Sequence, residues 1–156
     1  MKLGILAVGH RLPGWVAEGC EEYLKRLPRE LSVSVTKIKP EARAGKTRAQ
    51  LLAAEKTRLL AALPGYARIV VLDERGEDLP TMQLAQRLQD WLREGGDTAF
   101  VIGGADGLDE DIKRHAHMRL RLSSLTLPHA LARLVLCEQL YRAVSIVKNH
   151  PYHREG

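Results

Sequence analysis

The segment from Thr98 to Gly107 reads TAFVIGGADG, an apolar stretch of strand character that runs directly into a glycine turn. Two further segments follow it along the chain. Ser123 to His129 is a loop of small residues that ends in Pro-His, and Asn149 to His153 is a polar, aromatic tail. All three flank one unusually apolar predicted helix, over residues 129–148. We therefore expect the chemistry of the protein to gather in the last third of the chain.

That helix presents two different faces on a helical wheel. One face is apolar and wide enough to lie against a core, and it holds Leu136, Cys137, Leu140, Tyr141, Ala143, Val144 and Val147. The opposite face mixes the apolar Leu131, Val135 and Ile146 with Glu138, Gln139 and Arg142. An ordinary surface helix carries only polar side chains there. A helix at the centre of a larger monomer core is one explanation, but a chain of 156 residues has little left over to cover it. The pattern favours a homodimer.

The rest of the chain alternates predicted strands with predicted helices. The strands span Lys2 to Val8, Leu31 to Ile38, Arg68 to Leu72, Thr98 to Ile102 and Leu120 to Leu122. The helices run from Pro13 to Pro28, from a capping box at Thr47 and Gln50 to about Leu63, from Pro80 to Arg93, and from Asp109 through a short acidic start. This alternation predicts an α/β fold, a single domain over residues 1–156 with a mostly parallel sheet covered by helices on both faces.

Composition limits the class of protein. No window reaches the roughly 18 apolar residues that a membrane span requires, and the amino terminus does not fit a secretory signal, so we expect a soluble cytoplasmic protein. Cys20 and Cys137 lie among apolar residues and are expected to be buried free thiols. Lys and Arg number 24 against 19 Asp and Glu, a net charge of +5 that suits a polyanionic partner without requiring one.

In open α/β sheets, ligands bind beyond the carboxyl ends of the strands. Three strand ends are therefore candidates for a ligand site: Leu72-Asp73, Ile102-Gly103-Gly104, and Leu122 to Pro128. The glycines after Ile102 do not form the dinucleotide fingerprint, and the chain has no P-loop motif. A close backbone approach to a ligand and a plain turn are equally compatible with this pattern.

Each polar candidate has a functional and a structural interpretation. His129 follows Pro128 at a helix start, where it can act as a donor or base or simply cap the helix. Arg142 follows Glu138 by four positions, so it can form a surface ion pair or face RNA. Tyr152 can pack the tail or stack on a base. His150 and His153 are separated by the helix-breaking Pro151, and their surroundings do not favour a metal site.

The remaining polar residues receive plainer interpretations. His10, His115 and His117 are expected at the surface. The loop from Pro40 to Lys46 is the best candidate for a mobile basic segment, since it holds Arg43 and Lys46.

Five segments together form a recognisable signature. They are LGILAVG at 3–9, IGGADGL at 102–108, TLPH at 126–129, EQLYRA at 138–143 and NHPYHRE at 149–155. In this order they resemble the ribosomal RNA large subunit methyltransferase H family, and the resemblance covers essentially the whole chain.

The resemblance implies a small SPOUT-class methyltransferase with a carboxyl-terminal trefoil knot, a topology that general rules of chain connection would have rejected. It implies transfer of a methyl group from S-adenosylmethionine to N3 of a pseudouridine in 23S ribosomal RNA, without a metal. By position, the methyl donor would contact Leu72, Gly103, Leu122, Ser123, Ser124, Leu125, Thr126 and Leu127.

The resemblance also implies a homodimer in which the tail of one subunit completes the site of the other. His129, Arg142, Tyr152 and His153 match positions expected near the target base, while Ala105 and Asp106 receive no role. The general base stays open between His129, a tail residue and water. The expected partner is large subunit rRNA, in the assembled ribosome. Methylation of another rRNA or tRNA site, and RNA binding without catalysis, are the alternative functions.

Overall fold

The computed structural model describes residues 1–9 and 11–154, so His10, Glu155 and Gly156 lie outside the described residues. The described residues form strands and helices in alternation. The strands are β1 (Leu3–Val8), β2 (Val33–Ile38), β3 (Arg68–Asp78), β4 (Thr98–Ile102) and β5 (Met118–Arg121). The helices are α1 (Gly14–Leu24), α2 (Arg48–Ala62), α3 (Thr81–Glu94), α4 (Glu110–His115) and α5 (His129–Val147).

The strands of the described chain form one sheet in the order β2-β1-β4-β3-β5, and every neighbouring pair is parallel. Successive side chains of a strand point to opposite faces. In β4, Phe100 therefore joins the core cluster formed with α1, α3 and α5, and Val101 joins the cluster formed with α2 and α4. This confirms the predicted α/β fold with helices on both faces. The trefoil knot stays a prediction.

Most helix ends follow the signals in the sequence, but the prediction that the first helix continues to Pro28 was wrong, because α1 ends at Leu24. Thr47 and Gln50 form the predicted capping box at the start of α2, and the side chain of Asp109 caps α4 by accepting from the backbone N–H of Asp111. Gly95 ends α3 with a φ of 77°, a left-handed conformation that favours glycine. These local rules apply because each cap is built from residues that are neighbours in the chain.

Strand ends were predicted less well. The prediction that β3 ends at Leu72 was wrong. The backbone bulges out after Leu72 and pairing with β5 resumes at Glu77. Gly76 permits this return, because a Cβ there would lie 2.7 Å from the carbonyl oxygen of Arg119. The second strand begins at Val33 rather than Leu31, because residues 29–31 form a 3-10 turn. The fifth strand begins at Met118, two residues before the predicted Leu120.

The interior next to α1 contains both cysteines, buried and free as predicted, and one buried cation. Arg133 on α5 is only 5% exposed, and it forms no ion pair with a carboxylate of the described chain. It lies near the thiols of Cys20 and Cys137, and burial lowers the pKa of its guanidinium. No helix in the described part of the chain is long and apolar enough to cross a membrane.

Candidate active site

A cavity of about 690 Å³ opens where the carboxyl ends of β3, β4 and β5 meet the first turn of α5. Parallel strands end at the same edge of a sheet, so residues far apart in sequence converge there. Apolar side chains and backbone cover part of the wall. The charged part holds Arg48, Asp73, Glu74, Arg75, Asp106, Glu110, Lys113 and Arg121. A cavity of this size at the carboxyl edge of a parallel sheet is a usual place for a small-molecule ligand.

The structure brings nearly all of the residues assigned to the methyl donor onto this wall. Leu72 and Gly103 line it at the ends of their strands, and the loop after β5 contributes Leu122, Ser123, Leu125, Thr126 and Leu127. Ser124, which was assigned with them, is exposed and is absent from the described cavity wall. Leu125 is 74% exposed, so one side of this loop is open in the single chain.

The glycine turn at residues 103–107 bounds the cavity, and its backbone atoms pack closely against one another. A Cβ on Gly103 would lie 2.5 Å from the carbonyl oxygen of Gly107, and Gly107 takes a φ of 84°. The N–H of Gly107 donates to the carbonyl of Gly104 at 3.1 Å. Glycine at position 103 is thus required by the turn itself, and any larger residue would disturb the turn before it reached a ligand.

The predicted basic segment lies against this turn and is held by ion pairs. Arg43 pairs with the Asp106 carboxylate at 2.9 Å, and Lys46 pairs with Glu41 at 3.1 Å. From the start of α2, Arg48 donates to the carbonyl of Asp106 at 2.8 Å and lines the cavity. Asp106, to which the sequence assigned no role, is the residue that joins this segment to the turn.

The bulge in β3 supplies a nearly buried carboxylate to the wall. The side chain of Asp73 is 7% exposed, and its carboxylate lies 3.8 Å from the Lys113 amine and 4.0 Å from an Arg119 nitrogen. It also accepts the backbone N–H of Arg75 at 3.1 Å. The cavity wall therefore holds a carboxylate and an amine close to each other.

His129 stands where the cavity meets α5. It lines the wall, and its imidazole faces Gly9 at the end of β1, where a Cβ would lie 3.9 Å from Nε2. The predicted position at the helix start is confirmed, because α5 begins at this residue.

The other three residues assigned near the target base form a separate cluster. Arg142 donates to Oε1 of Glu138 from Nε at 2.8 Å and from Nη2 at 2.6 Å. The Tyr152 hydroxyl donates to the same oxygen at 3.1 Å. The Tyr152 ring lies edge-on to Tyr141 at 4.6 Å and 4.7 Å from the Arg142 guanidinium carbon. Arg142 Nη1 lies 3.2 Å from Nδ1 of His153.

These contacts determine which groups donate. An arginine can only donate, so Nδ1 of His153 accepts from Arg142 Nη1. Burial, followed by the negative charge of Glu138, raises the pKa of Tyr152 to about 12, so its hydroxyl is a donor at neutral pH. The hydrogen bond with Glu138 raises the pKa of Arg142 further above its ordinary value.

The cavity and the cluster lie far apart within one chain. His129 and Arg142 are separated by 13 positions of the same helix, which corresponds to roughly 20 Å at 1.5 Å per residue. Within residues 1–9 and 11–154, no group of three or more His, Cys, Asp or Glu side chains is arranged as a metal site.

A family model described as "Predicted SPOUT methyltransferase" matches residues 1–153. The chain belongs to the SPOUT methyltransferase family. Similar curated proteins carry the name "Ribosomal RNA large subunit methyltransferase H". One, from Dechloromonas aromatica (strain RCB), is 69% identical over 156 residues, with all of both chains covered. Another, from Burkholderia cenocepacia (strain HI2424), is 59% identical over 155 residues, with 99% of each chain covered.

Solved structures resemble this SPOUT methyltransferase in fold. A probable methyltransferase from Bordetella pertussis Tohama I matches with a TM-score of 0.58 and 16% identity, covering 91% of this chain and 95% of that one. A probable methylase family protein from Haemophilus influenzae Rd KW20 matches with a TM-score of 0.57 and 12% identity, covering 99% of this chain and 70% of that one.

Several residues that line the cavity of this SPOUT methyltransferase were not predicted from the sequence. Arg48 and Lys113 come from α2 and α4, and Ala132 faces the cavity from the first turns of α5. For Ala132 there was a signal, since it lies three positions after His129 on one helix. For Arg48 and Lys113 there was none, because their place depends on how their helices pack against the sheet.

Proposed function

We propose that this protein transfers a methyl group from S-adenosylmethionine to N3 of a pseudouridine in 23S ribosomal RNA of the large subunit. The observation that carries the proposal is the cavity at the carboxyl edge of the sheet, in a chain that belongs to a methyltransferase family. The rRNA substrate is supported by the name of relatives that are up to 69% identical over the full chain.

The cavity suits the methyl donor in size and in chemistry. S-adenosylmethionine has an apolar, planar base, a polar ribose and a zwitterionic end. The wall offers Leu72 and Leu122 for the base, and the Asp73 carboxylate and Lys113 amine for groups of opposite charge. Gly103, Ser123 and the segment Leu125 to Leu127 would hold the rest through backbone groups. When bound, the donor supplies a methyl group on a sulfonium, which is already a good leaving group, so the protein must align the reactants and manage one proton.

N3 of a uracil-type ring carries a proton that must leave before or during methyl transfer. His129 lies on the cavity wall and is our candidate for the residue that accepts it. Tyr152 is unsuited to that role because its pKa is raised to about 12. Arg142 would instead stabilise the negative charge that develops on the ring, with Tyr152 and His153 beside it in the same cluster.

His129 and Arg142 cannot reach one base in the same chain when roughly 20 Å of helix separates them. We therefore propose a homodimer in which the Arg142, Tyr152 and His153 of one subunit meet the cavity of the other. Leu131 and Val135 support this, because both are only partly buried and neither belongs to the two core clusters of the described chain.

The test is to supply the protein with tritium-labelled S-adenosylmethionine and either naked rRNA, free large subunits or assembled ribosomes, and then to locate the label by mass spectrometry. We expect label on one pseudouridine of large subunit rRNA, with assembled ribosomes in the cytoplasm as the natural substrate. Label on tRNA or at another rRNA site would contradict the proposed target. Absence of heat on calorimetric titration with the donor would favour RNA binding without catalysis.

A further inference from the structure

Glu138 lies at the centre of the cluster on α5, although the sequence suggested only a surface ion pair for it. Its Oε1 accepts from Arg142 and from Tyr152, at distances between 2.6 and 3.1 Å. Its Oε2 accepts from Nε2 of Gln139 at 2.7 Å. Both oxygens are therefore engaged, and a carboxylate held at both oxygens cannot rotate freely.

A hydrogen bond from a different helix fixes this carboxylate further. Thr81, the first residue of α3, donates from Oγ1 to Oε1 of Gln139 at 2.8 Å. The chain of bonds therefore runs from α3 through Gln139 to Glu138, and from Glu138 to the tail. This connects the position of the tail to the packing of α3 against α5.

An ordinary helix-surface pair in the same protein shows the contrast. Glu22 on α1 and Arg26, just beyond the end of that helix, have side chains that are 45% and 41% exposed, whereas those of Glu138 and Arg142 are 18% and 25% exposed. An exposed pair at this spacing contributes little to stability, so stability alone does not account for so many polar groups collected around one partly buried carboxylate.

We propose that Glu138 is a positioning residue for methyl transfer, whose carboxylate holds the Arg142 guanidinium and the Tyr152 hydroxyl in the orientation in which both meet the RNA base. The inference rests on the proposed function. A displacement of about 1 Å in such groups can cost roughly 100-fold in rate, so the orientation set by Glu138 determines turnover while the donor cavity, at the other end of α5, is unaffected.

Two substitutions separate the hydrogen bonds of Glu138 from its charge. Glu138→Ala removes every acceptor, and we expect kcat to fall about 100-fold with the affinity for S-adenosylmethionine unchanged. Glu138→Gln keeps one oxygen that can accept from Arg142 and Tyr152, and should recover about ten-fold of that loss. Glu94→Gln is the matched control, because Glu94 pairs with Arg68 at 3.0 Å at the amino end of β3 and belongs to neither the cavity wall nor the Glu138 cluster, so its loss should leave kcat unchanged.

A spectroscopic measurement tests the contact without using activity. The negative charge of Glu138 helps to raise the pKa of Tyr152, so tyrosinate absorbance should appear at lower pH in Glu138→Gln than in the parent protein. Subtracting the titration of Tyr152→Phe isolates that tyrosine from the other three in the chain.

The results distinguish a failure of the positioning role of Glu138 from a failure of the proposed function. A shifted tyrosine titration with an unchanged kcat in Glu138→Ala would overturn the positioning role while leaving the proposed function intact. Equal losses of kcat in the Ala and Gln variants would also overturn it, since acceptor geometry would then not matter. A parent protein that methylates no rRNA would overturn the proposed function, and the tyrosine titration would still report whether Glu138 holds Tyr152.

Discussion

His129 is the residue on which the acid–base chemistry depends in our proposal. We expect His129→Gln to lower kcat at pH 7 by about 100-fold or more, the usual effect of losing a general base, with donor affinity unchanged. The deficit should shrink as the pH rises, because N3 then loses its proton to solvent. The measurement is kcat against pH for both proteins with saturating donor and RNA. Parallel profiles would exclude His129 as the base.

Arg133 is a buried cation, and its burial leads to a prediction about stability. A buried charge without an opposite charge beside it destabilises the folded state. We expect Arg133→Met, which keeps a long side chain, to raise the free energy of unfolding by about 1 to 3 kcal/mol, measured by urea titration at fixed protein concentration. Lys25→Met, at a mostly exposed position, is the control and should change stability little. A less stable Arg133→Met protein would contradict this account of an unpaired buried charge.

At the scale of residues, the sequence predicted positions better than contacts. Leu72, Gly103 and the loop after β5 could be placed at one site because strand ends meet at one sheet edge. The contacts of Glu138 could be predicted only as far as Arg142, four positions away on the same helix. Its bonds with Tyr152, and with Thr81 through Gln139, join segments that are distant in the chain, and no local pattern encodes them.

Among the elements, the loop from Leu122 to Pro128 carries the sharpest prediction about the donor. Thr126 lines the cavity and Ser124 does not, although both are exposed and only two positions apart. We expect Thr126→Trp to fill part of the cavity and to weaken binding of S-adenosylmethionine at least ten-fold, measured by calorimetry. Ser124→Trp adds the same ring to the same loop and should bind the donor normally. Equal affinities in the two variants would mean that the donor does not occupy this cavity.

Helices were predicted more accurately than strands, for a physical reason. The start of α2 is set by Thr47 and Gln50, three positions apart. The second half of β3 is set by pairing with β5, roughly 40 positions further on. Asp73 to Gly76 has the composition of a turn, and only the close approach of Arg119 to Gly76 shows why the strand returns.

In the molecule as a whole, α5 joins the cavity to the Arg142 and Tyr152 cluster, which in our proposal are two halves of one site. Its first turn borders the donor cavity, and its last turns hold the Arg142 and Tyr152 cluster. Two copies related by a two-fold axis would complete two sites at once. The predicted two-sided helix agrees with this arrangement, but a single sequence carries no record of the partner's position, so the homodimer stays a prediction.

Mixed dimers give the test at this scale. One subunit carries Thr126→Trp, which blocks the cavity and keeps the tail. The other lacks residues 150–156, which removes the tail and keeps the cavity. Each variant alone should be inactive. If sites are shared, the mixed dimer pairs one intact cavity with the neighbour's intact tail, and should recover about half the activity of a wild-type dimer. Two different affinity tags allow the mixed species to be purified before methyl transfer is measured.

A reciprocal pairing makes the mixed-dimer test decisive. When both changes are placed in one subunit and the partner is wild type, a shared site predicts no activity, because the intact cavity faces a missing tail and the intact tail faces a blocked cavity. A site built within one chain predicts the reverse, with about half of the wild-type activity here and none in the first mixed dimer. The two arrangements contain the same substitutions and the same number of intact parts, so impaired folding or weak association would lower both. The two mixed dimers differ only in whether the intact cavity and the intact tail belong to the same subunit. Whichever mixed dimer is active therefore shows whether each cavity is completed by its own tail or by the tail of the neighbour.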